Sequence, residues 1–85
     1  MPYKIVLSEN ATLELEKFDK VVANRIVRKL KSISGNPQRA FVSLAGSKEL
    51  KLRVGDYRVI AIMLHEEETI LITAIGHRKN VYKRR

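Results

Sequence analysis

The stretch Leu50-Lys51-Leu52-Arg53-Val54-Gly55-Asp56-Tyr57-Arg58-Val59-Ile60-Ala61-Ile62-Met63-Leu64 decides the fold. Leu50, Leu52 and Val54 alternate with Lys51 and Arg53, the period of a half-buried strand. Gly55-Asp56 is a two-residue turn signal, and an apolar, β-branched run resumes at Tyr57, so the segment predicts a hairpin. A tight loop at Gly55-Asp56 pairs Val54 with Tyr57, Arg53 with Arg58 and Leu52 with Val59. One face then carries Leu50, Leu52, Val54, Tyr57, Val59, Ala61 and Met63. The other carries Lys51, Arg53, Arg58, Ile60, Ile62 and Leu64. Like charges opposite one another cost up to about 1 kcal/mol. A face that accepts Arg53 against Arg58 is either solvated there or expects an anion.

The polar segment His65-Glu66-Glu67-Glu68-Thr69 makes the next turn, and Ile70–Ile75 the last strand, closed by Gly76. With Leu64 opposite Ile70, Ile62 falls opposite Ile72 and Arg58 opposite Gly76. Arg78 then projects beside Arg58, whereas a slip of one residue sends it to the other side. In this register Lys51, Arg53, Arg58 and Arg78 gather at one end of a sheet face, and the three consecutive glutamates lie at the other end.

Upstream, Tyr3–Leu7 (YKIVL) reads as a first strand. Ser8 and Asn10 are both plausible N-caps for a helix carrying Ala11, Leu15 and Phe18, with Glu9, Glu14 and Glu16 where a helix dipole favours acids. Asp19 caps a second helix, whose Val22, Ile26, Leu30 and Ile33 form an amphipathic stripe, with Arg25, Arg28, Lys29 and Lys31 on the remaining faces. That basic run is either a solvated face or a contact for nucleic acid. Gly35-Asn36-Pro37 stops the helix, and residues 38–47 read as a loop with a short helical turn. The order β-α-α-β-β-β implies one α+β domain over residues 1–85, with a helical hairpin packed on a mostly antiparallel four-stranded sheet.

One helical hairpin covers one sheet face. Ile60, Ile62, Leu64, Ile70 and Ile72 are therefore expected to form an uncovered apolar patch, the mark of an interface. A partner's amphipathic helix, a second copy of the chain or the C-terminal tail folding back would each cover it.

Composition narrows the function. The 85 residues carry 17 Lys+Arg against 9 Asp+Glu, a formal charge of +8 and a pI near 10.1. That length excludes a second catalytic domain, and 45% hydrophobic with 31% charged residues suits a folded domain. With no cysteine and only His65 and His77 as imidazoles, disulfides, a zinc ribbon and a His-rich metal site are not expected. No apolar run approaches the roughly 18 residues of a membrane span, and the N-terminus lacks a signal-peptide core. The expected location is the cytoplasm, with no membrane partner. The excess positive charge points to a polyanion.

The run L-K-L-R-V-G-D-Y-R-V-I (Leu50–Ile60), together with G-H-R-K-N-V-Y (Gly76–Tyr82), resembles the signature of the RelE/ParE toxin superfamily, closest to the RelE branch. The resemblance extends over nearly the whole chain. It implies a toxin of a type II toxin–antitoxin pair that enters the ribosomal A site, cleaves mRNA there and is neutralised by a RelB-like antitoxin wrapped around it. On this resemblance Arg58 is the arginine after G-x-Y, Arg78 the arginine following the last strand, Tyr82 the tail tyrosine and Lys51 a basic residue of the second strand. Glu49 stands where well-studied ribosome-dependent members carry a further basic residue. The ParE branch, which inhibits DNA gyrase without catalysis, has the same fold and need not carry this set.

Cleavage without metal or cofactor uses the RNA's own 2′-hydroxyl as nucleophile, giving a 2′,3′-cyclic phosphate and a free 5′-hydroxyl. Charge gathers on the non-bridging oxygens in the transition state, where fixed cations lower the barrier. Arg58 and Arg78 suit this, since a guanidinium fork holds two phosphate oxygens and stays charged. Tyr82 either removes the 2′-hydroxyl proton, stacks on a base or packs against the sheet edge. Lys51 is the fourth catalytic candidate, binding phosphate or moving a proton. Arg53, His77, Lys79, Lys83, Arg84 and Arg85 are expected to bind RNA. His77 can also transfer protons, but as a strand neighbour of Arg78 it faces away from it. The antitoxin is expected on Ile60, Ile62, Leu64, Ile70 and Ile72.

Overall fold

The computed structural model describes residues 3–35, 40–43 and 48–77. Strand β1 (Lys4–Leu7) leads into helices α1 (Glu9–Glu16) and α2 (Lys20–Ile33). Strands β2 (Val42–Ser43), β3 (Glu49–Val54) and β4 (Tyr57–Leu64) follow, then a 3₁₀ turn (His65–Glu67) and β5 (Thr69–His77). The sheet order is β1-β5-β4-β3-β2, with β1 parallel to β5 and the other pairs antiparallel.

The expected four-stranded sheet is thus five-stranded and mixed. The added strand is β2, two residues paired to Lys51 and Leu50. It is too short to leave a period in the sequence, and lies within the segment read as a loop. Phe41, just before it, is 6% exposed and anchors the segment in the core.

The helices start where the sequence places them. The Ser8 hydroxyl accepts the Ala11 N–H at 3.1 Å, and the Asp19 carboxylate accepts the Val22 N–H at 3.0 Å, each satisfying a donor that the first helical turn leaves unpaired. Ile26, Leu30 and Ile33 from α2 and Ala11 from α1 pack on Leu52, Val54, Val59, Ala61, Ile70, Ile72 and Ile75 of the sheet. At the first hairpin Gly55 takes φ +61° in a two-residue loop with Val54 opposite Tyr57. That is the glycine-first turn whose twist matches its strands.

The second hairpin departs from expectation. Leu64 pairs with Thr69, Met63 with Ile70, Ile62 with Leu71 and Ala61 with Ile72. This is one residue away from the predicted register. It arises because the connection is one residue shorter than assumed, with Glu68 in the left-handed region at φ 48°. Ile70 and Ile72 therefore point into the core, both fully buried, and are not part of an exposed patch. Thr73 is then an extra residue in β5: Ile60 pairs with Ala74 and Val59 with Ile75. This bulge restores the predicted pairing of Arg58 with Gly76.

The bulge is braced from α1. The Thr73 carbonyl accepts from the Asn10 amide at 3.0 Å and the Ser8 hydroxyl at 3.4 Å. The Thr73 hydroxyl donates to the Ile60 carbonyl at 3.2 Å. The Ile75 N–H, which the shifted ladder turns toward the helix, donates to the buried Glu14 carboxylate at 2.9 Å. Glu14, read from sequence as a helix-dipole acid, instead satisfies a buried backbone donor.

Candidate active site

The helices cover one face of the sheet and leave the other to the cationic residues. On that open face β3 contributes Glu49, Lys51 and Arg53, and β4 contributes Arg58, Ile60, Ile62 and Leu64, since alternate residues of a strand share a face. Arg53 sits directly opposite Arg58, as expected, and Lys51 lies diagonally from Arg58, a separation of about 7–8 Å in such a sheet. Glu49 shares this face opposite Ile62, so one carboxylate accompanies the three cations of the β3–β4 ribbon.

Arg58 is the unusual member. Its Nε and Nη1 atoms are buried and have no hydrogen-bond partner among the described residues. A buried donor without an acceptor costs about 1–3 kcal/mol, which sets Arg58 apart from the exposed Arg53 opposite it. Opposite it on β5 is Gly76, which brings no side chain over the guanidinium. Arg53 is exposed, and its Nε donates to the Gly55 carbonyl at 3.4 Å across the turn.

His77 is excluded from this cluster. It pairs with Tyr57 on the helix-covered face, its ring edge-on to Tyr57 at 5.7 Å, and Tyr57 in turn meets Phe18 at 5.1 Å. His77 thus lies on the sheet face opposite Arg58, as the alternation of strand neighbours predicts. Of the other predicted site residues, Arg78, Lys79, Tyr82, Lys83, Arg84 and Arg85 lie outside the described residues. His65 bonds the Tyr3 hydroxyl through Nδ1 at 2.9 Å, tying the start of β1 to the far turn.

The apolar part of the open face is smaller than predicted. Ile70 and Ile72 have left it for the core, and Ile60 remains on it but is only 1% exposed. Ile62 and Leu64 remain half-buried there, joined by Leu71, which the register change brings opposite Ile62, and by Val6 of β1 alongside. Leu71 comes to this face because an odd shift in pairing exchanges the two faces of a strand, and Val6 because β1 pairs in parallel with β5, a partner that its own alternation does not specify. Among the described residues no group of acids and imidazoles is arranged to hold a metal ion, and no helix is long and apolar enough to cross a membrane.

The model for the ParE toxin of type II toxin–antitoxin systems, parDE, matches residues 5–82. The chain belongs to the RelE/ParE toxin superfamily. It is therefore a type II toxin, and its similarity within the superfamily runs toward RelE. A putative RelE-like toxin protein of Escherichia coli is 30% identical over 82 residues, covering 93% of this chain and 86% of that one. The toxin–antitoxin complex RelBE2 from Mycobacterium tuberculosis contains a similar fold, with a TM-score of 0.80 at 22% identity over 94% of this chain and 95% of that one. The intact RelBE complex of E. coli gives 0.73 at 22% identity over 88% and 95%. In this RelE/ParE chain the first part of the sequence signature, Leu50–Ile60, forms the β3–β4 ribbon that presents Arg58.

Proposed function

We propose that this toxin is a metal-independent endoribonuclease that cleaves mRNA in the ribosomal A site and is silenced by a RelB-like antitoxin. The observation that supports the reading is Arg58: a half-buried arginine on the sheet face the helices leave uncovered, with two guanidinium donor atoms that find no partner among the described residues and Lys51 and Arg53 beside it. In the reaction the 2′-oxygen forms a bond to the adjacent phosphorus while the bond from phosphorus to the 5′-oxygen breaks. Arg58 and Arg78 hold the non-bridging oxygens as they gain charge. Tyr82 takes the 2′-hydroxyl proton, and Lys51 supplies a proton to the departing 5′-oxygen. The products are a 2′,3′-cyclic phosphate and a 5′-hydroxyl. Fold similarity to chains from RelB–RelE complexes supports an antitoxin partner, seated on the apolar strip of Ile62, Leu64 and Leu71.

A second reading, inhibition of DNA gyrase without catalysis, is favoured by the family model, which describes a ParE toxin. Purified ribosomes programmed with a defined message separate the two. The nuclease reading expects breaks within the A-site codon ending in a cyclic phosphate, lost in Arg58→Ala and Arg78→Ala. Intact message together with blocked DNA supercoiling would replace it with the gyrase reading.

A further inference from the structure

A second cationic feature lies away from the apolar strip. Arg25, Arg28 and Lys29 of α2, with Arg53, Val54 and Gly55 at the β3–β4 turn, line a groove of about 700 Å³. Arg25, Arg28, Lys29 and Arg53 are all exposed. Among the described residues the groove lining carries four positive charges and no carboxylate. Arg25 reaches the β3–β4 turn, its Nη1 lying 3.5 Å from where a Cβ on Gly55 would stand. Four exposed cations along one groove create a local positive potential that concentrates anions there, an effect screened by salt.

We propose that this groove binds the phosphate backbone of an RNA strand, as a site separate from the one at which the strand is cut. Two observations favour RNA over an acidic peptide. Three of the four cations are arginines, whose forks match phosphate oxygens in pairs. Arg53 also belongs to both sites, since it lines the groove and is the cross-strand neighbour of Arg58. A strand with one phosphate on Arg58 continues around the hairpin end, past Arg53, and lays its neighbouring phosphates along α2. The identity of the ligand rests on the nuclease reading, while the groove's affinity for a phosphodiester chain does not require cleavage.

The test uses the full chain and a fluorescent 12-nucleotide 2′-O-methyl RNA, which cannot be cut, with binding followed by anisotropy between 50 and 200 mM salt. For single strands the logarithmic salt slope is about −0.7 per neutralised phosphate. The triple variant R25Q/R28Q/K29Q is expected to bind more weakly, with a slope shallower by about 2, so that over this range wild type loses about twenty-fold more affinity than the variant. R25K/R28K, which keeps the charge, should retain the wild-type slope. Equal slopes and affinities for wild type and triple variant would overturn the proposal. So would a defect seen only with an oligoglutamate peptide, which would assign the groove to a protein partner. Failure of wild type to cut ribosome-bound message, with the groove-dependent slope preserved, would defeat the nuclease reading and leave the groove standing.

Discussion

Replacing Arg58 by methionine should make the toxin more stable and inactive at once. Methionine matches the aliphatic stem of arginine and removes the guanidinium. Two donor atoms of that group, Nε and Nη1, are buried without an acceptor among the described residues. Each unpaired donor costs about 1–3 kcal/mol, and because the residue as a whole is only half-buried the lower figure applies. Removing the charge also relieves Arg53 opposite, a gain of a few tenths of a kcal/mol. The expected net stabilisation is about 2 kcal/mol. For a domain of 85 residues each kcal/mol moves Tm by about 4–8 °C, so Arg58→Met should melt about 8–16 °C above wild type.

The assay is thermal unfolding followed by circular dichroism, run beside the ribosome cleavage reaction. Methionine is preferred to alanine, since a truncated side chain adds a packing defect that would mask the gain. Arg58→Lys separates charge from geometry: it should keep most of the wild-type Tm while losing activity, because a lysine offers no fork. A lower Tm for Arg58→Met would refute the reasoning, since it would mean that the guanidinium supports the fold and is not a group kept unpaired for a phosphate.

Three further outcomes follow from the packing. Glu14→Ala strands the buried Ile75 N–H and should cost about 2 kcal/mol, measured by urea unfolding, with cleavage falling further than stability alone explains because the β5 bulge loses its brace. Gly55→Ala forces a Cβ residue to φ +61° and should cost about 1–2 kcal/mol, seen as a lower Tm; the added methyl meets Arg25 only at ordinary contact distance, so the effect is backbone strain. Ile62→Lys should fold within about 1 kcal/mol of wild type yet lose antitoxin in a pull-down, whereas Ile72→Lys should abolish soluble expression, because it buries a charge in the core.

The first hairpin was legible residue by residue, since a two-residue loop with glycine at its first position leaves a single register, and the structure keeps each predicted pair from Leu52–Val59 to Val54–Tyr57. The second was not. Its connection depends on Glu68 adopting a left-handed conformation that nothing in Glu66-Glu67-Glu68 advertises, so the strand begins one residue earlier than its apolar run. That single residue decides whether Ile70 and Ile72 face the core or the open side, and sequence alternation alone assigned them to the wrong one. The edge strand β2 was invisible for the opposite reason, having too few residues to show a period. For the site, Arg58, Arg53 and Lys51 were correctly placed on one face because they belong to the legible hairpin.

Arg58 lies opposite Gly76 as predicted, although the register behind that expectation is wrong over half of β5. The extra residue at Thr73 compensates the short turn, and that extra residue persists only because α1 supplies acceptors and donors to the irregular backbone: Ser8 and Asn10 to the Thr73 carbonyl, Glu14 to the Ile75 N–H. A bulge leaves backbone groups unpaired, and burying them unsatisfied is costly. The first helix, remote from the cationic face, is therefore what fixes the pairing of β5 beside Arg58. Helix-side polar substitutions at Ser8, Asn10 and Glu14 should accordingly act on the cationic face in proportion to how far they release the bulge, because its geometry is coupled to residues of the opposite layer.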